Sequence, residues 1–398
     1  MTTDVSSPLL SVVVPTRNRQ YYAENLIRAL NAFDAAELEV VIQDNSRDAT
    51  LGKVVDELKD PRFHYFYCAE PLNMHQNFDR AIDNARGEFI CAIGDDDGIL
   101  VDAALAGLHK AKAMGVGAVL MKSYSFNWPG TISPIWGDMG GPLSASRLFS
   151  GMAEQLLDPE QALDELFRRG ALNGLGLLPR VYHGFVSRSA MTALKEHCGT
   201  CFPGASPDLA NAVGLVPFVG KALFEPRVAL ISGHSPGSGG GQGAARAHHS
   251  ELEVATHLPR ETISNWDPAI PRFWSGTTVY AQTAVEAARA VGLIPKQPFE
   301  YVAVSAACLL YQPEQYRERV RVALRALGKP GYALWPTMAV EFAATTYDRA
   351  RSFIRNLVLF RLGLGAIGRF ESIGEIMLKL AQSPGATKLA NDREPTQV

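Results

Sequence analysis

The sequence predicts an α/β protein, with a mainly parallel sheet flanked by helices and then a mostly helical C-terminal region. Two observations carry this prediction. Short β-branched runs alternate with helix-like segments over the first 121 residues, and repeated βα alternation builds parallel strands with helices on both faces. Beyond Glu251 the pattern is helical almost throughout, with proline-marked breaks near 268–271, 295–298, 313 and 330–336.

Taken in order, Leu10–Val14 (LSVVV) reads as a buried strand, Tyr22–Phe33 as a helix, Glu39–Ile42 as a strand and Leu51–Leu58 as a helix. Phe63–Tyr67 is a third strand, Met74–Ala85 a helix, Glu88–Ile93 a fourth strand, Ala103–Met114 a helix and Ala118–Met121 a fifth strand. From Ser123 to Pro142 the chain turns to Gly, Pro, Trp and Ser, which predicts a long functional loop or a domain junction. Residues 145–215 read as interrupted helix, Ala222–Ile231 holds a strand, and Ser232–Gly243 (SGHSPGSGGGQG) is a glycine-rich loop. The last dozen or so residues read as a frayed tail. Three units follow: a first half over 1–122, a second half over 123–250 that carries the glycine-rich loop, and a helical region over 251–398.

The composition bounds the function. Hydrophobic residues make up 47% and charged residues 20% of the 398, the balance of a globular protein with a large core. With 38 Lys+Arg against 41 Asp+Glu the net charge is -3, so no global basic field attracts nucleic acid. Met1-Thr2-Thr3-Asp4 lacks the basic and apolar regions of a secretory signal, and no run of 18 uncharged apolar residues exists to span a bilayer. A cytoplasmic location is the expectation. Five cysteines (Cys68, Cys91, Cys198, Cys201, Cys308) are too few and too scattered for a disulfide framework, and Cys198 and Cys201 read as free thiols near a turn.

Chemistry is expected where parallel strands end, because ligands of doubly wound sheets sit outside the carboxyl ends of the strands. The loop after the first strand, Pro15-Thr16-Arg17-Asn18-Arg19, is neither a dinucleotide nor a P-loop motif, but it offers donors and positive charge to an anion. The second strand ends in Gln43-Asp44-Asn45-Ser46 and the fourth in Gly94-Asp95-Asp96-Asp97-Gly98, at the same edge. Three adjacent carboxylates repel one another unless a cation or a solvated turn relieves them, and Mg²⁺ or Mn²⁺ with phosphate oxygens would do so. Such a turn is expected to be exposed and to matter little to packing.

These residues resemble a family. Ser11-Val12-Val13-Val14-Pro15-Thr16, then Asp44-Asn45-Ser46, then Gly87-Glu88-Phe89-Ile90 leading into Asp95-Asp96-Asp97, is similar in order and spacing to the inverting family 2 glycosyltransferases of the GT-A fold, a Rossmann-like α/β design. The resemblance is firm over 8–121. It extends more weakly through Asn73-Met74-His75-Gln76-Asn77-Phe78, Tyr182-His183, Ser206-Pro207-Asp208 and Gly233-x-Ser235-x-x-Ser238, which look like motifs of one bacterial subgroup.

The resemblance implies a nucleoside-diphosphate-sugar donor (UDP, GDP or dTDP), a divalent metal (Mn²⁺ or Mg²⁺), and a saccharide or lipid-linked acceptor, as in bacterial surface polysaccharide or glycolipid synthesis. It places Pro15, Thr16, Arg17 and Asn18 near the nucleotide, Asp44 and Asn45 at the base, Asn73 and Asn77 beside the donor, and Asp96 near the ribose or diphosphate. Asp97, with Asp95, would hold the metal. Where the family often has D-x-D-D this chain has Gly94-Asp95-Asp96-Asp97, so Asp95 and Asp96 are both open for the ribose contact.

Inverting transfer needs a base for the acceptor hydroxyl, opposite the leaving diphosphate. Asp208, after the turn set by Pro207, is the first candidate, and its competing role is a helix N-cap. Asp164, Glu165 and Glu225 are weaker candidates. His234 and the pair His248-His249 could complete a metal shell, though lone histidines are mostly structural. The glycine-rich loop is expected to close over the donor.

Other readings remain. Gly233-His234-Ser235-Pro236-Gly237 matches the G-x-S-x-G of serine hydrolases, but no helix can begin in the Pro- and Gly-rich run that follows. A non-catalytic carbohydrate-binding protein on the same fold is the stronger rival. Arg349–Phe370 holds five arginines and no acid among apolar residues, which suits either peripheral contact with an anionic membrane or packing on the body of the protein.

Overall fold

The computed structural model describes residues 7–133, 137–146, 148–238, 249–254, 260–328, 330–361 and 366–382. The chain opens with β1 (Leu10–Thr16), α1 (Gln20–Asn31), β2 (Leu38–Asp44), α2 (Thr50–Leu58), β3 (Phe63–Tyr67), α3 (Met74–Asp83), β4 (Phe89–Ala92), β5 (Gly98–Ile99), α4 (Val101–Met114) and β6 (Ala118–Asn127). β4, β1, β2 and β3 lie side by side and parallel. β1 is apolar without alternation because both of its faces are covered, as parallel sheets require. Leu10, Val12 and Val14 enter one core with α1, α2 and α4, whereas Val13 enters the opposite core.

The sheet extends beyond β4 through Phe185–Ser187, which runs antiparallel between β4 and β6, and then through Ala222–His234, which runs parallel to β6. Ser123–Asn127 therefore belongs to a strand rather than to the loop expected there. Tyr124 and Phe126 are buried, and their partners Ile231 and Gly233 lie over a hundred residues further on, where no local pattern reveals them. Short strands also appear at Ile132–Ser133, Gly137–Asp138 and Pro142–Ala145.

The expected boundary at 122/123 falls inside β6, and the units interleave further. Ala366–Arg369 pairs with Pro142–Ala145. Ile373–Gln382 then places Ile373, Ile376 and Met377 in the core shared with β1 and α1. A second, helical core forms from Pro159–Arg168, Pro207–Gly214, Gly276–Ala290 and Tyr301–Tyr311, centred on residues such as Leu209, Phe273 and Val304. The helical C-terminal region is as expected, apart from the short strands His249–Ser250, Trp274–Ser275 and Ala366–Arg369.

Candidate active site

The loops after β1, β2 and β4 meet at one sheet edge and are sewn together by side chains. Thr16 donates to Asp95 Oδ2 at 2.7 Å, and its carbonyl accepts from the Asn45 N–H and from Asn77 Nδ2. Asn18 takes a left-handed φ of 57° so that its N–H reaches Ser46 Oγ and its Oδ1 accepts the Arg47 N–H. Arg17 donates to the Leu72 carbonyl, and Pro15 is the penultimate residue of β1.

Asp44 is fully buried; its carboxylate accepts from the Ser46 N–H and from the Tyr65 hydroxyl, and burial with this bond pushes Tyr65 up. Asn45 spends its whole amide on the Cys68 and Glu70 carbonyls and the Leu72 N–H. Asn73 caps α3 in a capping box with Gln76. Asn77 is buried with Oδ1 left without a partner.

The acidic turn departs from the sequence expectation. It is buried rather than exposed: Asp95 and Asp96 are 5% accessible and Asp97 is 1% accessible. Its charge is met from within the protein. Arg19 reaches Asp95 at 2.6 Å and Asp96 at 2.9 Å, over the ring of Tyr22, so its cation serves these carboxylates and not an external anion. Burial pushes the Asp95 carboxyl up to about 6 against the pull of Arg19. Asp97 accepts four hydrogen bonds, from the Gly94 and Gly233 N–H groups, the Tyr182 hydroxyl and His183 Nε2. Against the upward push of burial, the His183 charge and these donors hold its carboxyl below the ordinary range.

The strand Ala222–His234 locks the turn from outside. Gly233 must be glycine, since a Cβ there would lie 1.7 Å from the Asp96 carbonyl oxygen. Trp128 Nε1 donates to that same carbonyl. Ser235 is buried, with its hydroxyl donating to Asp96 Oδ2 and accepting from Arg19. That hydroxyl is a strut of the turn, which removes the hydrolase reading. Of the glycine-rich loop, residues 239–243 lie outside those described, as does His248 with the side chain of His249. His234 is described; burial lowers its imidazole against the pull of Asp97 and Asp96, keeping a neutral ring at the turn.

A divalent cation was tested against this donor set. Two carboxylates and two imidazoles are chemically suitable, but three donors crowd Oδ2 of Asp97, and its Oδ1 accepts the Gly233 N–H. Among the described residues no three His, Cys, Asp or Glu side chains converge as a cation needs. The set as folded does not fit a metal.

Asp208 lies at the second position of the helix Pro207–Gly214, where Ser206 occupies the N-cap. It is partly accessible. Its Oδ1 accepts from Ser206 Oγ at 2.5 Å and from the Leu209 N–H, and its Oδ2 accepts from the Tyr280 hydroxyl. Tyr182 donates to Asp97, and burial pushes its hydroxyl well above the ordinary range. The weaker candidates are engaged elsewhere: Asp164 accepts the Lys296 N–H, Glu165 pairs with Arg168, and Glu225 pairs with Arg227. Cys198 and Cys201 are free thiols.

The sheet order and the acidic turn at its carboxyl edge define an α/β protein of the GT-A type. Residues 11–135, which span β1 to β6 and the turn, match the family model described as Glycosyl transferase family 2. The chain is 34% identical over 110 residues to the GalNAc(5)-diNAcBac-PP-undecaprenol beta-1,3-glucosyltransferase of Campylobacter jejuni, covering 26% of this chain and 35% of that protein. It is 33% identical over 94 residues to the putative colanic acid biosynthesis glycosyl transferase WcaA of Escherichia coli K12, covering 23% and 34%. The chain thus spans about a third of the length of these relatives. Staphylococcus aureus TarS 1–349, solved with UDP-GlcNAc, aligns at a TM-score of 0.43 and 16% identity over 57% of this chain and 59% of that one, too slight a likeness to carry an argument.

Proposed function

We propose that the chain transfers a sugar from a nucleoside-diphosphate sugar to an acceptor hydroxyl, with inversion at the anomeric carbon and Asp208 as base. The observation that supports this best is the shared edge, where the loops after β1, β2 and β4 are bonded together and the Asp208 helix is tied to β4 through Val181. The family match over 11–135 supports the donor half of the reading.

In this reaction the acceptor oxygen attacks the anomeric carbon as Asp208 takes its proton. The bond from that carbon to the diphosphate breaks on the opposite face, and the nucleoside diphosphate leaves with the electron pair. Thr16, Arg17, Asn18 and Asn77 bound the space for the nucleotide. A base at Asp44 would share its carboxylate with Ser46 and Tyr65, and a cation at Asp97 would share its carboxylate with the Gly233 N–H and His183. No step here is routed through a metal.

The test is direct. Purified protein with UDP-, GDP- and dTDP-sugars and saccharide or lipid-linked acceptors should yield a glycosylated product of inverted configuration. Donor binding without product favours the carbohydrate-binding alternative, and equal rates with Mn²⁺ and with EDTA would remove the metal dependence implied by the resemblance.

Membrane contact belongs to the same proposal. The name of the Campylobacter relative specifies an undecaprenol-linked acceptor. The helix Gly331–Arg361 packs on Tyr301–Tyr311, where the Tyr311 hydroxyl donates to the Thr345 carbonyl, and it leaves Trp335, Phe342, Tyr347 and Ile354 exposed. Side chains 349 and 355–361 and residues 362–365 lie outside those described. No described helix is long and apolar enough to cross a membrane. The protein should pellet with anionic but not neutral vesicles, and Glu in place of Arg349, Arg351 and Arg355 should release it. Failure to pellet at low salt refutes the contact.

A further inference from the structure

We infer that Tyr280, from the helical region, and the buried Arg180 are positioning residues that hold Asp208 in its reacting orientation. The inference rests on Asp208 being the base. Oδ1 of Asp208 is filled by Ser206 and the Leu209 N–H, whereas Oδ2 carries Tyr280 alone. One lone pair on Oδ2 therefore remains, and it is the place for the acceptor's proton. Tyr280 fixes where that lone pair points.

The tyrosine is built for this task. It sits on Gly276–Ala290, a helix started by a capping box at Ser275 and Thr278. One turn further along, Thr283 Oγ1 accepts the Ser206 N–H, so a single helix grips both Asp208 and the residue before Pro207. Tyr280 is largely buried, and burial together with Asp208 pushes its hydroxyl well above the ordinary range, so that it stays a donor.

Arg180 anchors the segment that spaces Asp208 from the acidic turn. It is 2% accessible, with Nη1 on the Gly176 and Leu178 carbonyls and Nε without a partner. A buried N–H left unpaired is costly, and such exceptions call for an explanation. Its guanidinium lies over the Phe149 ring, 5.7 Å from the centroid, and burial lowers its pKa to about 10. It remains charged at neutral pH. Its neighbours set the spacing: the Val181 N–H donates to Asn211 on the Asp208 helix, the Val181 carbonyl accepts the Ala92 N–H of β4, and Tyr182 donates to Asp97. Residues 180–183 thus tie the base helix to the strand that carries the acidic turn.

The test is a cycle of Tyr280→Phe and Asp208→Asn, read as turnover and as donor affinity, with Arg180→Met and Arg180→Lys beside it. Tyr280→Phe should lower kcat about ten- to a hundredfold with donor affinity unchanged, the scale on which misplaced groups lose rate. In the Asp208→Asn background it should cost nothing further. Arg180→Lys should keep more turnover than Arg180→Met; Tyr280→Phe keeps the test alive where the latter does not fold. If Asp208→Asn abolishes turnover while Tyr280→Phe stays within about twofold of wild type, the positioning role fails and the base survives. If Tyr280→Phe lowers donor affinity and melting temperature together, its role is structural and the inference is overturned. Full turnover in Asp208→Asn removes the base and this inference with it.

Discussion

The acidic turn and Asp208 hold their carboxylates in opposite ways. Asp95, Asp96 and Asp97 lie under the strand Ala222–His234, and Arg19, His183, Ser235 and backbone N–H groups occupy their oxygens. Asp208 is partly accessible and keeps a lone pair on Oδ2. A carboxylate enclosed by donors supports its surroundings; one with an unfilled position facing solvent can take a proton. The contrast suits the proposal that the turn holds and Asp208 moves the proton, whereas the sequence alone gives the turn the more active part.

The largest effect expected on stability breaks the turn itself. Asp97→Ala leaves His183, Tyr182 and two N–H groups facing a void, and losing one partner of a buried pair costs about 3–5 kcal/mol. Urea denaturation should show this loss. An unchanged midpoint would mean that the turn is the loosely held, exposed group expected from its composition.

Gly233→Ala attacks the same lock from the backbone. With a Cβ placed 1.7 Å from the Asp96 carbonyl oxygen, strand and turn must part, a strain of about 1–3 kcal/mol. Crystallography or amide exchange should find the turn loosened and Ser235 detached from Asp96. If alanine is accommodated with full stability, the strand is not what closes the turn.

The smallest effect sharpens the comparison with a control that has no chemistry. Glu39 lies buried in β2, bonded to Ser11 and Arg86, which hold its carboxyl below the ordinary 4.5 against burial. Because the folded value is depressed, this stabilisation is present above pH 4.5 and is lost as pH falls through the folded value. Glu39→Gln should cost about 1 kcal/mol at neutral pH, flatten the fall in stability below that pH, and leave donor binding unchanged. A change in donor binding would extend the site to β2's buried face.

Much of the frame was legible because its signals are local. Phe63–Tyr67 was read to the residue, and α1 was read two residues late because Gln20 and Tyr21 lie outside the apolar stripe. The carboxyl edge followed from βα alternation, which sets Thr16, Asp44 and the acidic turn at the ends of neighbouring parallel strands. Burial of the turn was not legible, since it depends on Gly233 and Ser235, which lie far along the chain. Nor was Tyr280, a lone tyrosine on a helix with no motif around it, known only by what it touches. Arg19 was visible as a charge, but its partner was not.

The central claim, that Asp208 reacts while the turn holds, is met most directly by one paired measurement on Asp208→Asn: melting temperature and transfer rate from a nucleotide sugar. The account predicts an unchanged melting temperature, retained donor binding, and a transfer rate lower by about a hundredfold or more. A variant that transfers at the wild-type rate, or that loses rate only in step with its folding, would contradict it.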